Sequence, residues 1–143
     1  MQYLADTPSG AWAELLRHEE IKDPAELSGV RRALWAVDLP QPPSAEPSLS
    51  QADLLGDRGS YGACQQEARR IKATGAPGLR APSAALLSGA ASGWRVDGGL
   101  HQAAARDGLV YVLFGRRPDL VGWPVVREGA PPEDLLPRVR HFS

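Results

Sequence analysis

The segment that most constrains this chain is its first eighteen residues, in which a short apolar stretch turns directly into a helix. Residues 3–6 read Tyr-Leu-Ala-Asp, and Thr7 and Pro8 follow them. Thr7 can accept hydrogen bonds from the free N–H groups of a first helical turn, and Pro8 stands where a missing N–H costs nothing. The sequence therefore predicts a strand through Tyr3 and, immediately after it, a helix that begins near Pro8.

The defined start fixes the register of this helix. At about 100° per residue, Trp12, Leu15 and Leu16 form one apolar stripe, while Glu14 and His18 lie four residues apart on another face. Taken alone, this pattern favours an ordinary solvated charge for Glu14, because charged side chains are mostly surface groups. The direct turn from strand to helix adds a second reading, in which Tyr3 and Glu14 open onto one cleft.

Composition limits the class of protein. The length of 143 residues fits one domain over residues 1–143. Sixteen basic and seventeen acidic residues give a net charge of −1, which argues against a nucleic-acid partner because such proteins usually carry a basic face. Cys64 is the one cysteine, so an internal disulfide is excluded and a reducing compartment is expected. The chain has no apolar run long enough for a membrane span, and we expect a cytoplasmic protein.

Apolar runs elsewhere predict the remaining strands. The run at residues 109–114 is β-branched and aromatic throughout, which is typical of the centre of a sheet, and the run at 33–39 is typical of a buried strand. Shorter strands are expected at residues 122–126 and 139–142. Together with the helices, these strands predict an α+β domain with a small mixed sheet and flanking helices.

Between the strands lie two predicted loops and a helix. Residues 41–51 hold three prolines and three serines and predict a surface loop, and residues 89–99 predict a second loop rich in small residues. The helix that follows Ser60 places Tyr61, Cys64, Ala68 and Ile71 on one face and stops at Gly75. Cys64 is expected to pack in that face as a structural thiol.

Ser83 is the second candidate for function. Because Pro82 cannot donate to a strand ladder, the strand before it should end there and leave Ser83 at the mouth of the sheet, where ligands often bind. Local sequence alone favours a different role, the cap of a short helix over the following residues. The sequence offers no phosphate-binding glycine loop, and its three histidines lack metal-like spacing, so no metal site is expected.

Taken in order, these segments resemble the RES domain, a bacterial family named for arginine, glutamate and serine. The resemblance covers nearly the whole chain and implies a fold similar to ADP-ribosyltransferases. It also implies that Glu14 and Ser83 are the catalytic pair, that Tyr3 lines the substrate pocket, and that NAD is the substrate with no further cofactor. It rests on four short motifs, which are residues 3–6 with 11–14, Tyr61 with residues 64–65, residues 78–83 and residues 113–115.

The resemblance also implies an activity and partners. Members of the family cleave the bond between nicotinamide and ribose and pass ADP-ribose to phosphate or water. Many are toxins encoded beside a helix-turn-helix antitoxin that blocks the pocket. NAD, phosphate and such an antitoxin are therefore the expected partners, and self-association is left open. The alternative is a non-enzymatic RES-like domain that binds a nucleotide or a protein partner.

One element of the family pattern has no counterpart at its usual place. The family's arginine lies upstream of the Tyr-Leu-Ala segment on an N-terminal strand, whereas Met1 stands two residues before Tyr3. The expectation is either an N-terminally truncated start or a different arginine in that role. Arg17, Arg31, Arg32 and Arg80 are the arginines considered, because a guanidinium clamps phosphate oxygens in bidentate fashion.

Overall fold

A computed structural model describes residues 1–91, 93–96 and 98–143 of the chain. The described residues form seven strands, which are β1 (Gln2–Ala5), β2 (Arg32–Asp38), β3 (Gly78–Pro82), β4 (Trp94–Val96), β5 (Leu100–Gln102), β6 (Leu109–Leu113) and β7 (Val121–Gly129). Their α-helices are α1 (Pro8–His18), α2 (Pro24–Leu27), α3 (Gln51–Leu54) and α4 (Tyr61–Ala73), with 3-10 helices at Arg58–Ser60 and Glu133–Arg138. The predicted α+β class is confirmed.

Strand β6 is the middle of a three-stranded sheet, as its continuous apolar sequence predicted. The order is β1-β6-β3, and both pairings are antiparallel. Val112 is paired with Tyr3 on one side and with Leu79 on the other. The other described strands pair antiparallel as β2 with β7 and β4 with β5, so the described strands form three small antiparallel sheets where the sequence predicted one small mixed sheet.

Helix α1 begins where Thr7 and Pro8 predicted. The Thr7 hydroxyl oxygen accepts a hydrogen bond from the Gly10 N–H at 3.1 Å, an interaction that typically stabilises a helix by about 1 kcal/mol. The predicted stripe faces inward, since Trp12 and Leu16 are buried and Leu15 packs against the same core. This larger core cluster joins α1 to the buried residues Leu27, Val30, Ala85, Leu86, Ala90, Ala91, Leu135, Leu136 and Val139.

Helix α4 packs on the three-stranded sheet through a second, smaller core. Ile71 on the helix packs with Leu79, Val112 and Phe114 from the strand region. Burial, together with the nearby charge of Asp53, raises the pKa of the Cys64 thiol, which agrees with a structural thiol. This second core holds α4 against the sheet.

Residues 41–50 form no helix or strand, as the predicted loop at residues 41–51 requires. They cover the outer edge of β3. The Arg80 N–H donates to the Ala45 carbonyl at 2.8 Å, and the Arg80 guanidinium pairs with Glu46 at 2.8 Å. The Ser48 N–H donates to the Glu67 carboxylate at 2.9 Å. The loop therefore protects an edge that would otherwise be open to strand addition.

Several sequence predictions differ from the structure. The run at residues 33–39 forms strand β2, but the prediction of a buried strand is wrong, because β2 lies in a two-stranded ribbon with no buried residue and Trp35 is 59% exposed. The strand predicted at residues 139–142 is wrong, because Val139 makes only an isolated bridge with Leu86 and the segment then packs on α1 through its side chains. The loop predicted at residues 89–99 includes Ser92 and Asp97, which lie outside the described residues, and β4 and β5 form a hairpin across it.

Among the described residues, no helix has the length and apolar character needed to cross a membrane.

Candidate functional site

The site lies at one end of the three-stranded sheet, where β1 leads into α1 and β3 ends. The Asp6 N–H donates to the Leu109 carbonyl at 3.1 Å, and the Ser83 N–H donates to the Gly108 carbonyl at 2.8 Å. These bonds continue the ladder one step beyond the strands and fix the chain on both sides of β6. Ser83 is thereby held beside the first turns of α1.

Because Gly108 has no side chain, Ser83 and Leu86 can pack close to its backbone. A Cβ atom at this position would lie 2.9 Å from Leu86 Cδ1 and 3.3 Å from Ser83 Cβ. A side chain at position 108 would therefore push against the residue that the sheet delivers to the site.

Glu14 and Ser83 meet at this end of the sheet although 69 positions separate them in sequence. The Ser83 hydroxyl donates to Glu14 Oε1 at 3.4 Å. Ser83 is only 4% exposed, whereas the Glu14 side chain keeps 32% of its surface accessible. The structure thus brings together the two residues that were predicted to act as a pair, with the carboxylate as the accessible one.

His18 contacts the other oxygen of the same carboxylate. Its Nε2 lies 3.4 Å from Glu14 Oε2, one helical turn along α1, and its side chain is largely exposed. When protonated, the imidazole forms an ion pair with Glu14. Each carboxylate oxygen therefore has one side-chain partner, and these partners fix the orientation of the carboxylate plane.

Burial raises the pKa of Glu14 above its ordinary value of 4.5. The charges of His18 and Arg17, and the hydrogen bonds from Ser83 and His18, act in the opposite direction. The net upward direction means that desolvation outweighs these favourable contacts. The favourable contacts of Glu14 thus compensate only in part for its loss of solvent. A perturbed pKa of this kind is common among functional carboxylates.

Arg17, one of the arginines considered from the sequence, lies directly beneath this site. It is 3% exposed, and it donates to the carbonyl oxygens of Ala84 and, at 2.8 Å, of Gly56. Its guanidinium fixes the turn that follows Ser83 and also lies near Glu14.

The other three arginines considered are engaged elsewhere. Arg31 donates to the Val30 carbonyl at 2.8 Å, and Arg32 donates to the Arg31 carbonyl at 2.9 Å. Arg80 is paired with Glu46 in the loop that covers β3.

Sequence reasoning missed Arg140. Its Nη1 donates to the Ala84 carbonyl at 3.0 Å and reaches the Ser83 carbonyl at 3.5 Å. The residue lies between the buried Val139 and Phe142, a pattern that predicted a short strand and gave no sign of a contact with Ser83. Only the three-dimensional fold brings it to the site.

Tyr3 lies on β1, away from the contact between Glu14 and Ser83. It is three residues before Asp6 on β1, which at about 3.3 Å per residue is roughly 10 Å from that end of the sheet. The residue is 67% exposed, and its hydroxyl donates to Met1 Sδ at 3.7 Å. Tyr3 therefore does not extend the Glu14–Ser83 contact but presents an accessible ring along the same sheet.

Phe142 closes the side of the site next to His18. Phe142 is buried, and two guanidinium groups lie over its ring, with Arg17 Cζ at 4.3 Å and Arg58 Cζ at 4.4 Å from the ring centroid. The rings of His18 and Tyr61 approach its edge at 6.2 and 6.1 Å. Contacts of this kind fix the last turn of α1 against the end of the chain.

Comparison with known families decides the membership of this chain. A model of the RES domain matches residues 1–135 of the 143 residues. The chain belongs to the RES domain family. No curated protein and no solved structure matches it.

The extent of the match divides the residues of the site. It includes Glu14, His18 and Ser83, so the pair predicted from the resemblance lies within the RES domain. Arg140 and Phe142 follow the matched residues, and they contact the site from outside them.

The Glu14 carboxylate of this RES domain is partly accessible to solvent. Two cavities of about 400 and 370 Å³ open elsewhere, one beside residues 87–90 and Arg138 and the other between Lys22 and His141. We place the candidate chemistry at Glu14 and not in these cavities, because Glu14 combines an accessible carboxylate with fixed partners and a perturbed pKa. Within the described residues, no group of three or more His, Cys, Asp or Glu side chains is arranged to hold a metal ion.

Proposed function

We propose that this RES domain degrades NAD by cleaving the bond between nicotinamide and ribose and transferring ADP-ribose to phosphate or water. The observation that carries the proposal is the accessible Glu14 carboxylate, with Ser83 on one oxygen and His18 on the other. Family membership supports the substrate class. The site requires no cofactor for this reaction, because NAD itself is the substrate.

The proposed step needs one fixed negative charge. When the glycosidic bond breaks, its electron pair moves to the pyridinium nitrogen, so nicotinamide leaves as a neutral molecule and positive charge develops on the ribose carbon. The Glu14 carboxylate stabilises this charge or accepts a hydrogen bond from the adjacent hydroxyl. An oxygen of water or phosphate then attacks the carbon and, where it is water, releases its proton to solvent.

Ser83 and Tyr3 have different roles in this proposal. Ser83 is nearly buried, and its N–H is already bonded to the Gly108 carbonyl, so its hydroxyl acts by holding Glu14 in place. Tyr3 presents an exposed ring on which a ring of the substrate can stack.

The test of this proposal is nicotinamide release from NAD, measured with and without phosphate. Glu14→Gln keeps the shape of the side chain and the Ser83 contact but removes the charge, and we expect turnover to fall by about two orders of magnitude or more. NAD binding should change much less, because the charge is needed mainly in the transition state. Glu19→Gln is the matched control, since it removes the same charge from the exposed end of the same helix.

A second candidate function is a partner-binding RES-like domain without enzymatic activity. The observation that favours it is the β2–β7 ribbon, which exposes Trp35, Val121, Trp123, Val125 and Val126. Exposed apolar groups on a two-stranded ribbon are typical of a surface that another chain covers. A helix-turn-helix antitoxin is the partner that family membership suggests. Absence of both nicotinamide release and NAD binding at millimolar concentration would favour this function over the first.

A further inference from the structure

Two arginine side chains from distant parts of the chain converge on the turn after Ser83. Arg17 comes from α1, and Arg140 comes from the segment that follows the 3-10 helix Glu133–Arg138. Both donate to the Ala84 carbonyl oxygen, Arg140 at 3.0 Å, and Arg140 also reaches the Ser83 carbonyl at 3.5 Å. Two positive charges thus share one neutral acceptor.

Carboxylates lie near these two charges. Glu14 and Asp57 are within electrostatic range of Arg17, and Asp107 is within range of Arg140. Among the described residues, neither Arg17 nor Arg140 takes part in an ion pair. Burial and the charge of Arg17 lower the pKa of Arg140, and Asp107 offsets this only in part. A partly buried positive charge is unfavourable unless an opposite charge joins it directly. Arg140 has no such ion pair among the described residues, so an anion bound to its guanidinium would stabilise it.

The free donors of Arg140 fit a particular kind of anion. Its contacts use Nη1, and within the described part of the chain Nε and Nη2 have no protein acceptor. These two N–H groups form the edge of the guanidinium that binds two oxygens of a phosphate or carboxylate side by side. Arg17, by contrast, uses both Nη atoms on carbonyls and has its face covered by Phe142. Arg140 is the accessible member of the pair.

We propose that Arg140 binds phosphate oxygens at the Ser83 turn, while Arg17 beneath it strengthens the field. The inference rests on the proposed function, for which it identifies the phosphate-binding group. Ser83 lies between the two parts of this site, with its hydroxyl on Glu14 and its carbonyl near Arg140. The phosphate oxygens belong either to the diphosphate of the dinucleotide or to free phosphate as the acceptor, and both have the same chemistry.

The experiment measures binding of ADP and, separately, of inorganic phosphate by titration calorimetry. Arg140→Gln should weaken at least one of these ligands about tenfold or more, which is the usual scale for losing a charge-assisted hydrogen bond. Loss of ADP binding alone assigns the site to the diphosphate, and loss of phosphate binding alone assigns it to the acceptor. Arg138→Gln is the matched control, because it removes the same charge from an exposed residue two positions away and should leave both affinities unchanged.

Arg140 also supports the backbone around Ala84, so a structural effect must be separated from binding. Arg140→Lys keeps the positive charge and a donor for the Ala84 carbonyl but cannot present two parallel N–H groups. We expect it to fold with an unchanged circular dichroism spectrum and still to bind the affected ligand several-fold more weakly. A purely structural role predicts instead a lower melting temperature and an unchanged affinity of the folded fraction.

The proposal is overturned if the unaltered protein binds neither ligand, or if both Arg140 variants bind ADP and phosphate as tightly as it does. Failure of the proposed function gives a different result. In that case nicotinamide is not released, yet ADP or phosphate binding still depends on Arg140.

Discussion

At the scale of single residues, the state of Glu14 is set by opposing effects in one small volume. Folding removes solvent from its carboxylate. Folding also places Ser83, His18 and the positive charge of Arg17 near the carboxylate. Because loss of solvent has the larger effect, the ionised group is less stable here than in the unfolded chain. A carboxylate held in this way reduces the stability of its own fold.

This balance predicts a pH-dependent effect of Glu14→Gln on stability. The raised pKa means that the folded protein binds more protons than the unfolded chain above the ordinary value of 4.5, so the stability contributed by this residue falls as pH rises through that window. We expect the Gln variant to melt a few degrees higher than the unaltered protein at pH 7. That advantage should diminish towards pH 4. A difference in melting temperature that is the same at both pH values would contradict this account.

At the scale of secondary-structure elements, the sequence predicted correctly those elements whose position depends on a local pattern of residues. Thr7 and Pro8 define the start of α1, and the uninterrupted apolar sequence of β6 places it between two other strands. Residues 139–142 were misassigned because Val139 and Phe142 are buried by contacts with α1 and its neighbours, and a strand pattern cannot be distinguished from such packing by sequence alone.

The interior position of β6 predicts a large effect of truncating Phe114, which follows its last residue and packs with Ile71, Leu79 and Val112. Phe114→Ala should reduce the free energy of unfolding by roughly 3–5 kcal/mol, through loss of burial and the cavity that remains. Val121→Ala, on the exposed ribbon strand β7, should change it by less than about 0.5 kcal/mol. Denaturant titrations of both variants provide the measurement. A loss below about 1 kcal/mol for Phe114→Ala would show that this core is peripheral to stability.

At the scale of the whole molecule, Arg17 connects segments that are far apart in sequence. Its guanidinium binds the carbonyl oxygens of Gly56 and Ala84 and lies against the ring of Phe142. The sequence placed Arg17 on a helix but could not show these contacts, because each depends on how distant segments meet. The same reason explains why Glu14 and Ser83 were predicted through a resemblance, whereas Arg140 was missed.

Replacing Arg17 should therefore destabilise the entire fold. Arg17→Met keeps much of the apolar length but removes the donors to two carbonyls, and we expect it to lower the free energy of unfolding by about 2–4 kcal/mol. Arg58→Met is the matched control, since Arg58 also lies over the Phe142 ring but is exposed, and it should cost less than about 1 kcal/mol. Equal losses in a urea titration would mean that the ring contact, and not the carbonyl bonds, is what matters.

The three-stranded sheet also has a consequence for when the candidate site is formed during synthesis. β1 and β3 are joined only through β6, whose residues leave the ribosome after both of them. A nascent chain that lacks β6 therefore carries Glu14 and Ser83 but has no sheet to hold them together. Arg140 is added later still. Translation thus delays assembly of the candidate site until most of the polypeptide has been made.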